Sequence, residues 1–104
     1  MAIRVLIVDD FEPFRRFVRS MLSDRPEVQV IAEASDGLEA VQMARQFQPN
    51  LMLLDIGLPK LSGIDAAREI RKRAPKTKII FSLRRNSLPT LPSKLSMPVE
   101  RPTL

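Results

Sequence analysis

The chain contains no cysteine, histidine, tryptophan or tyrosine. The first two absences exclude thiolate and imidazole chemistry, a zinc site of the usual kind and any disulfide framework. A metal held here is held by oxygen, which favours Mg²⁺ or Ca²⁺. No apolar run comes near the roughly 20 residues that a membrane span requires. The opening MAIRVLIVDD turns acidic too soon for a signal peptide. With no cysteine to oxidise, the expectation is a soluble, cytoplasmic chain. Its 104 residues suit a single domain.

Positive charge and proline are present in excess, and both are unevenly placed. Seventeen Lys and Arg oppose 12 Asp and Glu, a net charge of +5. Residues 82–104 hold four of those basic side chains, one acid and four of the nine prolines (Pro89, Pro92, Pro98 and Pro102). Proline removes a backbone donor and obstructs helix continuation, so this spacing leaves little room for regular structure. The expectation is a folding unit over 1–81 followed by an irregular, Pro-rich basic tail over 82–104.

The first part alternates strand and helix signals. Ile3 to Val8 is a β-branched run suited to a strand buried on both faces. Phe14, Phe17, Val18, Met21 and Leu22 then form one helical stripe, with Pro13 in the first turn and Arg25-Pro26 as the stop. Val28, Val30 and Ala32 alternate with Gln29, Ile31 and Glu33 as a second strand. A second helix follows Asp36-Gly37, with Leu38, Ala40, Val41, Ala44 and Phe47 inward, and Pro49-Asn50 breaks it. Leu51 to Leu54 forms a third strand, Ser62 caps a third helix carrying Ile64, Ala67, Ile70 and Ala74, and Lys78 to Phe81 forms a fourth strand. This alternation predicts βαβ units, right-handed crossovers and a parallel sheet.

Ligands of an open parallel sheet bind beyond the carboxyl ends of its strands. Asp9 and Asp10 follow the first strand and Asp55 follows the third. A single strand-ending Asp is usually a helix cap. Three at matching strand ends instead predict a shared acidic cleft, whose mutual repulsion a cation relieves. The oxygen-only inventory points to Mg²⁺. A carboxylate placed there can also attack phosphorus to give an aspartyl phosphate.

The segments VLIVDD (5–10), EASDGLEAV (33–41) and NLMLLDIGLPKLSGIDAAREIR (50–71) resemble the receiver (CheY-like) domain of response regulators, particularly those joined to LuxR-type helix-turn-helix outputs. The resemblance covers about residues 2–81. It implies a flavodoxin-like doubly wound α/β fold, here truncated after the fourth strand. It also implies a two-component phosphoacceptor function, with a phosphoryl group taken on Asp55 from a histidine kinase or phosphotransfer protein. Asp9, Asp10, Asp55 and the Gly57 backbone carbonyl would then hold Mg²⁺, and Pro59 and Gly63 would shape the following loop. Beyond phosphorylating and dephosphorylating itself, such a domain is no enzyme. A turnover phosphatase finds no D-x-D pair after a strand and no evident general acid.

The chain also departs from the family. Receivers end their fourth strand in a switch hydroxyl and their fifth in a lysine. Ser82 reads as one position early, with Leu83 at the hydroxyl position, and a one-residue shift turns a side chain to the opposite face. Lys94 is not preceded by a strand and inherits no role. Read one base out of frame, the codons for Ser93 to Thr103 accommodate a segment like the one before a receiver's fifth strand. The tail is therefore expected to be a frameshifted receiver C-terminus. An incomplete sheet would expose Ile79, Ile80 and Phe81 and favour weak self-association. The alternative is a non-switching remnant that at most binds metal or partners. The basic residues Arg68, Arg71, Lys72, Arg73, Lys76 and Lys78 read as a solvated helix face, with no nucleic-acid contact expected.

Overall fold

A computed structural model describes residues 2–82 of the chain. The elements run β1 (Ile3–Val8), α1 (Glu12–Leu22), β2 (Val28–Ala34), α2 (Gly37–Phe47), β3 (Leu51–Asp55), α3 (Gly63–Arg73) and β4 (Lys78–Ser82). The strands form one sheet of order β2-β1-β3-β4, and every pairing is parallel. This is the flavodoxin-like α/β arrangement expected from the alternation. β4 includes Ser82, one residue beyond the expected unit. The tail, Lys94 and the frameshifted segment lie outside the described residues.

β1 is flanked by β2 and β3, and Val5 to Val8 are 0–3% exposed. Its alternating side chains feed two cores. Leu6 and Val8 join Met52 and Leu54 beneath Ala40 and Ala44 of α2 and Ala66, Ala67 and Ile70 of α3. Val5 and Ile7 pack on the other face beneath Phe14 and Val18 of α1. The alanines on α2 and α3 allow those helices to approach closely, so the buried seam is narrower than the apolar stripes suggest. Leu38 and Ile64 consequently fall outside it, 51% and 42% exposed, against the inward placement expected of both. Met21 at the last turn of α1 is likewise exposed.

One boundary, one strand's alternation and one strand's burial differ from the sequence reading for local reasons. α1 stops at Leu22, before Arg25-Pro26, because Ser23 closes the last turn. The Ser23 N–H bonds to the Arg19 and Ser20 carbonyls, and its hydroxyl donates to Ser20 O at 2.6 Å. In β2 the alternation fails at a bulge. Val5 pairs with Val30 but Leu6 pairs with Ala32, so Ile31 is the extra residue. Val28 and Val30 therefore pack towards α1, whereas Ala32 and Ala34 join the opposite core. Of the apolar residues of β4 only Ile80 is exposed, while Ile79 and Phe81 pack against the α2–α3 core. On the α1 face, Ile80 borders an apolar concavity of about 260 Å³ with Ile3, Val18, Met21, Leu22 and Leu53.

α2 begins at Asp36, whose carboxylate accepts from the Glu39 N–H at 2.8 Å and faces Lys60 Nζ at 3.5 Å. The Glu39 N–H, aided by Lys60, holds its carboxyl below the usual value of 3.8. A folded-state pKa below the unfolded one adds stability above the unfolded value, lost as pH falls through the folded value. Asp36→Ala should therefore cost about 1 kcal/mol at neutral pH in urea unfolding. Asp36→Asn keeps a capping oxygen and should flatten the fall in urea midpoint below about pH 4. Ile70→Ala, which truncates a fully buried side chain, should cost about 2–5 kcal/mol in the same measurement.

Candidate metal centre

Parallel pairing puts the carboxyl ends of β1 and β3 at the same sheet edge. Val8 is in register with Leu54, so Asp9 and Asp55, one residue further along each strand, are neighbours. Asp10 follows in the turn towards α1. One carboxylate oxygen from each of Asp9, Asp10 and Asp55 falls within 4.8 Å of the others. Asp9 is 1% exposed and Asp55 2%, while Asp10 is open to solvent. The structure thus gathers all three acids expected from the sequence.

Buried carboxylates need donors. Asp9 Oδ1 accepts the Phe11 N–H at 2.9 Å, an Asx turn that leads into α1. Its backbone is held by Asp9 N–H to Ala34 O at 3.0 Å and by Arg15 Nη1 to Asp9 O at 2.6 Å. Asp55 Oδ1 accepts the Gly57 N–H at 3.2 Å. Gly57, expected to offer its carbonyl, thus stands in the turn that already touches the Asp55 carboxylate. The Ile56 N–H donates to Ser82 O at 3.2 Å, tying that turn to β4.

Glycine brings α3 up to this edge. A Cβ on Gly63 would lie 2.3 Å from Asp55 O and 2.6 Å from Ile56 Cα, and the Gly63 N–H donates to Ile56 O at 2.8 Å. The next turn starts from Ser62, whose hydroxyl accepts the Asp65 N–H as expected of an N-cap. Gly57 has no heavy atom within 4 Å of the same construction. Its role in the turn therefore does not depend on a missing side chain.

The sequence reading sets Ser82 one position early against the family's usual order at the end of β4. Ser82 is the register partner of Asp55, and partners on adjacent strands present side chains to the same face. Ser82 is 8% exposed, and its Oγ has no hydrogen-bond partner among the described residues.

Two further residues support the centre without having been singled out. Arg15 grips the Asp9 carbonyl and pairs with Glu33 at 3.0 Å, and Arg19 also pairs with Glu33. The bulge in β2 is what turns Glu33 towards α1, so strict alternation hid this contact. On α3, Arg68 pairs with Asp65, and Lys72 and Arg73 pair with Glu69, so much of that basic cluster is balanced within the helix.

Two buried carboxylates and one open one, held by backbone donors, form an all-oxygen set that fits a hard divalent cation. Fold and cleft together define a doubly wound α/β domain with an acidic site at the carboxyl edge of its sheet. The response regulator receiver domain model matches residues 5–97, and the chain belongs to that family. It is 42% identical over 82 residues to a protein-glutamate methylesterase/protein-glutamine glutaminase of Alkalilimnicola ehrlichii, covering 79% of this chain and 21% of the relative. A LuxR-family two-component response regulator from Aurantimonas has a similar structure, with TM-score 0.75 and 31% identity over 83% of this chain and 61% of that one. The receiver domain of the sensor histidine kinase PA1611 from Pseudomonas aeruginosa, solved with magnesium in its active-site cleft, gives TM-score 0.71 and 28% identity. That match covers 90% of this chain and 76% of the other. The chain spans between a fifth and a third of the length of the curated relatives it matches. Among the described residues, no helix is long and apolar enough to cross a membrane.

Gly57 and Gly63 should respond unequally to the same change. Gly63→Ala forces backbone apart at the Asp55 carbonyl and should lower unfolding stability by about 1–3 kcal/mol. Gly57→Ala should stay within about 0.5 kcal/mol of the parent protein. Parallel urea titrations followed by circular dichroism measure both.

Proposed function

We propose that this receiver domain accepts a phosphoryl group on Asp55 from the phosphohistidine of a histidine kinase or phosphotransfer protein, with Mg²⁺ held by Asp9, Asp10, Asp55 and the Gly57 carbonyl. The observation that carries this reading is the convergence of the three carboxylates, two of them buried, at one sheet edge. The magnesium ion in the cleft of the similar PA1611 receiver supports the choice of metal.

A carboxylate oxygen of Asp55 attacks phosphorus, an acyl–phosphate bond forms, and the phosphorus–nitrogen bond of the donor breaks. The imidazole leaves with the electron pair. Bound Mg²⁺ supplies positive charge to the phosphoryl oxygens. The remaining work belongs to the chain itself. The Gly57 N–H orients the Asp55 carboxylate, and the Arg15 contact fixes the backbone at Asp9. Ser82, buried on the face that Asp55 shares and without a hydroxyl partner among the described residues, offers its hydroxyl to a phosphoryl oxygen. The donor protein approaches the sheet edge where Asp10 is exposed.

Mass spectrometry after incubation with acetyl phosphate and Mg²⁺ should show one added phosphoryl group, absent from Asp55→Asn. Beryllofluoride with Mg²⁺ should raise the thermal midpoint of the parent protein, with a smaller rise in Ser82→Ala and none in Asp55→Asn. If the parent protein shows neither an adduct nor Mg²⁺-dependent stabilisation, this reading is wrong.

A further inference from the structure

The loop between β3 and α3 carries Gly57, whose N–H holds the Asp55 carboxylate, and α2 presses on the same loop. Gly37, the first residue of α2, has no room for a side chain there. A Cβ would lie 1.9 Å from Leu61 O and 2.7 Å from Leu61 Cβ. The Gly37 N–H also donates to Pro59 O at 3.3 Å. Between these contacts Lys60 takes φ 69°, a left-handed conformation that residues with a Cβ seldom adopt. The Leu61 N–H closes the turn on Pro59 O at 2.7 Å, and Lys60 Nζ reaches Asp36 Oδ2 at 3.5 Å. An unfavourable backbone state kept by contacts on both sides marks a segment whose course is imposed by its surroundings.

We propose that α2 acts through this loop as a positioning element for Asp55. The bare Cα of Gly37 lets the loop seat against the helix, and the left-handed turn at Lys60 fixes its course. Together they keep the Gly57 N–H on the Asp55 carboxylate. Gly37 and Lys60 are positioning residues here and touch neither metal nor phosphoryl group. The inference rests on the metal-site reading above and adds to it a requirement for residues outside the acidic cluster.

Mg²⁺ titrated into the full-length chain by isothermal titration calorimetry tests it without any phosphodonor. Gly37→Ala should weaken Mg²⁺ binding about tenfold, the lower end of what losing an outer-shell contact costs a metal site. Ala44→Gly lowers the stability of the same helix away from the loop and should leave the affinity unchanged. Lys60→Gly and Lys60→Val both remove the ion pair to Asp36, but only valine opposes a positive φ. Lys60→Gly should therefore bind Mg²⁺ as the parent does, and Lys60→Val several-fold more weakly. The Gly57 amide resonance should move in Gly37→Ala and Lys60→Val alone. Parent-like affinity in Gly37→Ala and Lys60→Val overturns the inference, as does an equal loss in Ala44→Gly. If Gly37→Ala does not fold, the contrast between the two Lys60 variants decides. A parent protein that binds no Mg²⁺ defeats the metal-site reading itself and the inference with it, a result distinct from the others.

Discussion

Three carboxylates share one sheet edge, and their mutual repulsion is the constraint that the surrounding structure has to hold against. Like charges about 4 Å apart repel by roughly 4 kcal/mol at an effective dielectric near 20. Folding brings Asp9, Asp10 and Asp55 together nonetheless, because β1 and β3 pair in parallel and end at the same level. The hydrophobic runs of those two strands set the register, and the acids are carried along by it. Opposing that repulsion are donors from the backbone: Phe11 N–H on Asp9 and Gly57 N–H on Asp55. The crowding of negative charge at this edge is therefore a consequence of the strand pairing itself.

The remaining architecture fixes the turns that carry those donors. Alanine at positions 40, 44, 66 and 67 draws α2 and α3 onto the sheet, and the loop between β3 and α3 is caught between them. At both ends of that loop a missing side chain permits backbone contact, Gly63 against the Asp55 carbonyl and Gly37 against the Leu61 carbonyl. On the opposite face, Arg15 joins the Asp9 turn to Glu33 on β2. Packing, which gains nothing from the acids, thus holds the acids in place.

Element order, sheet type and the acidic cluster were all legible in the sequence, because each depends on local pattern. Period-2 and period-3.6 hydrophobicity identified the strands and helices, and acids at two strand ends identified the cleft. The misreadings concern relations between elements. The Ile31 bulge changes the phase of β2 and turns Glu33 towards α1, an event written in the ladder with β1 and invisible in β2 alone. Leu38 and Ile64 lie on good helical stripes, yet the narrow alanine seam between α2 and α3 leaves them outside. Gly37 stands where a turn passes into a helix, but the backbone that denies it a side chain belongs to Leu61 in another segment. None of these contacts has a signature within its own segment.

Ser82 has its neighbour set by the ladder between β3 and β4. A buried hydroxyl without a partner costs on the order of 1–3 kcal/mol, and such groups are scarce in native interiors. Among the described residues Ser82 Oγ has no such partner, and it lies on the face it shares with Asp55, at the position in β4 that the ladder sets beside it. An alanine there would pack as well and leave nothing unsatisfied. The cost is intelligible if an acceptor arrives from outside, and an oxyanion bonded to Asp55 brings acceptors to that place. The acids favour a cation and the serine favours an oxyanion. Under the function proposed above, a cleft that offers both at once would suit a phosphoryl group with its counter-ion, which neither feature implies alone.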